Sequence, residues 1–116
     1  MNREIKFRLW DKIRKEMRKG CHNILIDSLD GKPYWQYGYD EAMPMVNYEV
    51  MQFTGLLDKN GKEIYEADLL KRLNGEVETV VFDSGCFCIK HKDGSFDFIA
   101  EHNQFEIVGN IYENIK

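Results

Sequence analysis

No stretch of the 116 residues reaches the ~18 consecutive apolar positions of a membrane-spanning helix, and Met1-Asn2-Arg3-Glu4-Ile5-Lys6 lacks the apolar centre of a signal peptide. Neither a membrane nor export is therefore expected. Proline is scarce, with 2 in the chain, which disfavours a coil-rich architecture. Cysteine is scarce and odd in number: Cys21, Cys86 and Cys88 cannot form a complete disulfide framework, so a reducing, cytoplasmic compartment is expected. Glycine-rich phosphate cradles are missing, since neither G-x-G-x-x-G nor G-x-x-x-x-G-K-S/T occurs. No internal repeat or low-complexity segment is found. What is there has the balance of an ordinary soluble domain, 43% hydrophobic and 31% charged, with 13% aromatic residues that favour strands.

The net charge of −4 conceals two unlike parts. The first 22 residues carry eight Lys or Arg (Arg3, Lys6, Arg8, Lys12, Arg14, Lys15, Arg18 and Lys19) against Glu4, Asp11 and Glu16, a net of +5. The other 94 carry eight basic and 17 acidic residues, a net of −9. A basic head on an acidic body fits nucleic-acid contact through the head, or contact between the head of one subunit and the body of another. Solvated strand and turn faces are the plainer reading.

Residues 3–10 alternate, with Ile5, Phe7 and Leu9 on one face and Glu4, Lys6, Arg8 and Trp10 on the other, the pattern of a half-buried strand. The charged run 11–19 fits one or two helical turns or a hairpin loop. Residues 21–29 read as a strand closed by Asp30-Gly31-Lys32-Pro33, residues 34–45 as a loop, and 46–54 as another strand. Asn60-Gly61 signals a hairpin with a type I′ turn, which needs positive φ at both central residues. Short strands follow at 68–73, 76–83, 86–92, 95–100 and 105–112, punctuated by Asn74-Gly75, Asp83-Ser84-Gly85, Asp93-Gly94 and Glu101-His102-Asn103-Gln104.

Five strands within about 45 residues suit a small closed barrel of the SH3-like kind, because closure removes free edges. Its inward residues would include Leu69, Val80, Phe82, Ile89, Phe96, Phe98, Ile107 and Ile111. A sheet packed on the N-terminal strands is the alternative. The expected fold is mainly β: an N-terminal antiparallel β-hairpin region with the basic hairpin and aromatic loop over residues 1–62, then the SH3-like β-barrel over 63–116.

Cys86, Cys88 and His91 form C-x-C-x-x-H, which offers thiolate and imidazole donors. A structural zinc site wants a fourth ligand and knuckle-spaced pairs, however, and His91 would face the opposite side of a strand; Cys21, His22 or His102 would have to complete the set. The two cysteines read instead as small apolar strand residues, and no metal or other cofactor is expected. A nucleophilic thiol needs a lowered pKa and a base, whereas Cys86 follows an acidic turn. The carboxylate pairs Glu76 with Glu78 and Asp93 with Asp97 read as solvated strand faces, so catalysis is not expected.

The aromatics Trp10, Tyr34, Trp35, Tyr37 and Tyr39, with Met43 and Met45, suit a protein interface, where Tyr, Trp and Met are enriched. Beside Arg14, Lys15, Arg18 and Lys19 the same aromatics would make a platform for single-stranded nucleic acid, an alternative that a pI near 5.4 disfavours.

Three blocks carry a family resemblance. They are Arg3-Glu4-Ile5-Lys6-Phe7-Arg8-Leu9-Trp10-Asp11, then Met51-Gln52-Phe53-Thr54-Gly55-Leu56-Leu57-Asp58-Lys59-Asn60-Gly61-Lys62-Glu63-Ile64-Tyr65-Glu66-Ala67-Asp68, and finally Val108-Gly109-Asn110-Ile111-Tyr112-Glu113-Asn114. In this order they resemble the YopX family of phage and prophage proteins. The chain has Phe53 where the family usually has Tyr, Ala67 where it has Gly, and Ile115 where Pro is common. The resemblance implies a mostly β protein with an SH3-like barrel that tends to self-associate and has no established biochemical activity. The expectation is thus a non-enzymatic phage or prophage accessory protein of the bacterial host cytoplasm. Its partners would be further copies of itself and phage or host proteins, with nucleic acid the less favoured partner.

Overall fold

The computed structural model describes residues 5–19, 24–26, 30–37, 41–99 and 105–113. Among the described residues there are strands and no helix, hence no helix long and apolar enough to cross a membrane. In chain order the strands are β1 (Phe7–Asp11), β2 (Glu16–Lys19), β3 (Ile24–Ile26), β4 (Pro33–Tyr37), β5 (Glu41–Pro44), β6 (Tyr48–Leu57), β7 (Glu63–Tyr65), β8 (Asp68–Lys71), β9 (Val77–Asp83), β10 (Cys86–Lys90), β11 (Phe96–Phe98) and β12 (Glu106–Asn110). They form antiparallel sheets in the orders β2-β1-β6-β7, β3-β4-β5 and β11-β10-β9-β8-β12. The chain divides into two compact units, Phe7–Met51 and Met1–Lys6 with Gln52–Lys116, and β6 begins in the first and ends in the second.

In the unit Phe7–Met51 the charged run after β1 is a hairpin, with Leu9 opposite Arg18 and Trp10 opposite Met17. The strict alternation of residues 3–10 does not translate into one buried and one solvated face. Ile5 is exposed, whereas Arg8, Leu9, Trp10 and Asp11 are all buried in succession. β1 is an interior strand between β2 and β6, and both of its faces are enclosed, polar positions included. The expected loop 34–45 is in fact two strands, with Trp35 opposite Met43 and Tyr37 opposite Glu41. Consecutive aromatics concealed the period of two that would have shown it.

The second unit is built on the five-stranded sheet, which curls into a half-barrel. Its core is Ile64, Leu70, Val80, Ile89, Ile99 and Phe105, with Leu56, Phe87 and Ile107 packed against it. Each such aliphatic side chain, taken fully from water, contributes roughly 1.5–3 kcal/mol. Val80 and Ile89 occupy the core as their pattern requires. Leu70 replaces the expected Leu69, and Phe82 and Phe96 lie largely outside it. The first difference is a one-residue parity slip, which in a strand exchanges the two faces.

Three of the hairpins repeat one turn. Asp58, Arg72 and His91 each donate a backbone N–H to the carbonyl four residues on, at 2.8 Å, and each accepts one from the glycine three residues on, Gly61, Gly75 or Gly94, at 3.0 Å. Only the glycine is left-handed; the preceding Asn60, Asn74 or Asp93 is not. The hairpin at Asn60-Gly61 is therefore real, but its turn is not type I′. Type I′ geometry occurs instead between β9 and β10, where Ser84 (φ 51°) and Gly85 (φ 83°) are both positive.

Candidate functional site

Within the second unit the surface of most interest lies around the β9–β10 hairpin and strand β11. Phe82 stands across from Phe87, their rings edge-to-face with centroids 5.0 Å apart, and Cys86 pairs with Asp83. Phe82 remains 54% exposed and Phe96 48% exposed, large apolar areas to leave in water. Beside Phe96 a groove of about 270 Å³ is lined by Asp83, Ser84, Cys86, Cys88, Phe96 and Asp97. Strand β11 ends its sheet, so one side of its backbone has no strand neighbour among the described residues. Cys86 and Cys88 share a face, as their spacing requires. Cys88 is buried and its thiol is pushed up, by burial first and then by Cys86 and Asp83 beside it. Such a thiol is packing material, not a nucleophile.

A pocket of about 400 Å³ opens at the end of the sheet where Glu76, Val77, Glu78, His91, Lys92, Asp93 and Ser95 come together. Glu78 was expected on a solvated face, and it is instead a buried carboxylate, its side chain 2% exposed. The guanidinium of Arg72 and Nδ1 of His91 both contact it, and Nε2 of His91 lies 3.8 Å from Asp97 Oδ2. Arg72 also sits over the Phe105 ring at 5.5 Å. A carboxylate taken out of water needs a cation such as Arg72 and polar hydrogen-bonding groups beside it. The cluster thus ties β9 to the chain just beyond β8 and β10. The signal for it was available: Val80 points inward, and Glu78 shares its parity.

His91 therefore turns towards Glu78 rather than joining Cys86 and Cys88. Among the described residues no group of three or more His, Cys, Asp or Glu is arranged to hold a metal ion.

The basic hairpin is organised by Asp11 within the first unit. Its Oδ1 accepts hydrogen bonds from the backbone N–H groups of Ile13 and Arg14, each at 3.0 Å, and Lys15 N–H donates to its carbonyl at 2.8 Å. The Arg14 N–H holds the Asp11 carboxyl below the ordinary aspartate range against the opposing effect of burial, with help from Ile13, Arg18 and Arg14 charge. Arg18 lies 3.6 Å from Asp11 Oδ2 and 3.9 Å from Glu16 Oε2. Arg14, Lys15 and Lys19 are exposed. Of the expected interface residues, Trp10 is buried to 6% exposure, and this takes most of its ring from any partner. Tyr34 and Met45 are half-buried, Trp35, Tyr37 and Met43 are on β4 and β5, and Tyr39 lies outside the described residues.

The family model for YopX protein matches residues 6–116, nearly the whole chain. The chain belongs to the YopX family. This member is similar to the crystal structure of protein EF1440 from Enterococcus faecalis, with a TM-score of 0.65 and 27% identity over 97% of this chain and 96% of that one. It shares its fold with protein yopX from Bacillus subtilis, with a TM-score of 0.58 and 22% identity over 94% of each chain. No curated protein sequence matches it.

Proposed function

We propose that this YopX-family chain is a phage or prophage accessory protein without catalytic activity, acting in the bacterial cytoplasm through contacts with proteins, further copies of itself included. In this reading the curled five-stranded sheet is the SH3-like barrel of the family, and its rim is the contact surface. The observation that carries the reading is Phe96, half in water on the end strand β11 and lining a shallow groove, with Phe82 also half exposed on the β9–β10 hairpin. Exposed aromatics around a shallow apolar depression are the material of interface centres. Size exclusion with light scattering at low and high salt tests it. Wild-type protein is expected to exceed the monomer mass of 13.7 kDa at low salt, and Phe96→Asp to reduce that mass without loss of fold by circular dichroism. A strict monomer in both salts removes self-association.

Nucleic acid is the second reading, and the exposure of Arg14, Lys15 and Lys19 on one hairpin favours it. Against it, Arg18 is engaged by Asp11 and Trp10 is buried, so neither offers itself to a strand. It requires that a labelled single-stranded oligonucleotide shift at low salt and be released steeply as salt rises, with the shift lost in the variant carrying Arg14, Lys15, Arg18 and Lys19 as Ala. An unshifted oligonucleotide at low salt rejects it.

A further inference from the structure

The groove beside Phe96 holds a pair of thiols on one strand. Cys86 and Cys88 are alternate residues of β10, so both project from the same face, and both line the groove. Cys86 is half-buried at the turn, its Sγ 3.5 Å from the Asp83 carbonyl, and Cys88 is buried one step further in, opposite Val81 and Phe98. The two side chains meet: the Cys88 thiol is pushed up by burial first, then by the charges of Cys86 and Asp83 and by a hydrogen bond with the Cys86 side chain. Alternate strand residues stand roughly 6.4–6.8 Å apart along the chain, whereas a disulfide needs Cβ atoms about 3.5–4.5 Å apart. The pair is therefore rooted too widely to cross-link itself, yet its sulfurs lean toward one another.

A metal ion can join sulfurs that a disulfide cannot. Two sulfur–metal bonds, each of roughly 2.3 Å as in zinc thiolates, set the sulfurs up to about 4.6 Å apart, a span that side chains leaning together from one strand face can meet. The number of donors selects the ion. Among the described residues no third His, Cys, Asp or Glu is arranged with them. Structural zinc takes four ligands, and hard cations take several oxygens. Copper(I) is soft, prefers thiolate and is satisfied by two sulfurs in line. We propose that Cys86 and Cys88 bind one copper(I) ion between their sulfurs, Cys86 giving access from the groove and Cys88 shielding the ion from water. Two S–H bonds break, two S–Cu bonds form and two protons leave, with no change of oxidation state. Asp83 and Asp97 line the groove with negative charge that draws a cation in. Asp83 also helps keep Cys88 protonated until the metal displaces the proton. Binding of this kind needs neither a second copy nor a partner protein, so it stands apart from the contact function proposed above.

Anaerobic titration of the reduced chain with copper(I) against bicinchoninate, a competing copper(I) chelator, tests the site. Wild type is expected to hold one copper per chain, with X-ray absorption showing two sulfur neighbours. Cys21→Ser should leave stoichiometry and affinity unchanged. Loss of a mere outer partner of a metal ligand costs about 10–100-fold in affinity, so Cys86→Ser and Cys88→Ser, which remove a ligand itself, should each weaken binding at least about 100-fold. Circular dichroism checks that each variant folds; if the buried Cys88→Ser does not, Cys86→Ser, at a partly exposed position, decides alone. Copper held as tightly by Cys86→Ser as by wild type, binding lost in Cys21→Ser, one copper shared by two chains, or no copper taken from the chelator overturns the site. So does zinc bound one per chain as tightly as copper, because it would require donors beyond the two thiols.

Discussion

Asp58, in the turn between β6 and β7, accepts a hydrogen bond on Oδ2 from the backbone N–H of Ile107, 49 residues away, at 3.0 Å. Its Oδ1 accepts two more, from Asn60 at 2.8 Å and Lys62 at 2.9 Å. One buried carboxylate therefore closes its own turn and fastens the last strand, which gives Asp58-Lys59-Asn60-Gly61 a physical reason to stand out in the chain. Hydrogen bonds to charged groups are worth about 1.5–3 kcal/mol each before relaxation and water replace part of the loss, so Asp58→Ala should cost about 3 kcal/mol in urea denaturation. Asp58→Asn, which keeps an acceptor for the local turn, should cost about half as much. A cost near zero for Asp58→Asn would mean that the bond to Ile107 contributes nothing, and equal costs for the two that the local turn bonds contribute nothing.

The same carboxylate makes stability fall in acid. Burial acts to raise its pKa, but the N–H groups of Ile107, Lys62 and Asn60 and the charge of Lys62 outweigh that effect and hold it below the ordinary aspartate value. A carboxyl depressed in the folded state favours unfolding when it is protonated, so its contribution is complete above about pH 5 and lost as pH falls through the folded value, below ~3.9. Asp11 is depressed likewise, and so is Asp93, chiefly by the Ser95 hydroxyl. The urea midpoint of wild type should be level from pH 7 to 5 and drop below it. The gap between wild type and Asp58→Asn should narrow over the same window; a gap unchanged down to pH 3 would assign the acid sensitivity elsewhere.

Glu78 and Arg72 form the next relationship open to measurement, because the carboxylate is enclosed while its neighbours Arg72 and His91 reach the surface. Removing one member of a buried pair leaves the other charge poorly solvated. Arg72 and His91 can still recover some water here, so Glu78→Met should cost about 2–3 kcal/mol, the low end for such sites. Arg72→Met leaves Glu78 with His91 alone and should cost a comparable amount. The double variant should be more stable than the sum of the single effects implies, by at least about 1 kcal/mol. Additive costs would show that the contact carries no coupling.

Turns were the most legible part of the chain, because Asn-Gly and Asp-Gly act locally: each of Gly61, Gly75 and Gly94 sits where a hairpin reverses. Long-range effects were not legible in that way. Strand β7 is three residues, Glu63-Ile64-Tyr65, too short to show a period, yet it supplies the fully buried Ile64. The register shift between Ile107 and Gly109 on β12 leaves no mark in the residue pattern. Phe82 has the inward parity of Val80, but the β9–β10 hairpin carries it beyond the core, and parity alone does not say where a core ends. At the candidate rim, the charges and the Asp83-Ser84-Gly85 turn could be read in sequence. That Phe96 lines a groove at an end strand required the fold.

Ala67 occupies a left-handed conformation, φ 73°, where the resemblance to the family leads one to expect glycine. It is held there from both sides: its N–H donates to Val80 C=O at 2.8 Å and its C=O accepts from Ile111 N–H at 3.0 Å. A Cβ in this region costs roughly 1–2 kcal/mol. Glycine would relieve that cost but gains about 0.4–1 kcal/mol of extra freedom in the unfolded chain. Ala67→Gly should therefore be stabilising, by about 0.5–1 kcal/mol, and raise the melting temperature by roughly 2–4 °C. A lower melting temperature would show that the alanine conformation is not strained.

The groove thiols should differ sharply in reactivity. Cys86 is partly accessible at the turn, its thiol 3.5 Å from the carbonyl of Asp83, whereas Cys88 is 4% exposed between β9 and β11, opposite Val81 and Phe98. Alkylation requires both access and thiolate, and Cys88 has little of either, its pKa being raised by burial and by Cys86 and Asp83. Brief treatment of the native protein with a maleimide, followed by peptide mass mapping, should modify Cys86 and leave Cys88 intact, and denaturant should bring Cys88 to the same reactivity. If another copy covers the groove, Cys86 should react more slowly under the low-salt conditions that favour assembly and faster at high salt, where charge attraction is screened. Equal modification of both thiols in native protein would contradict the burial of Cys88.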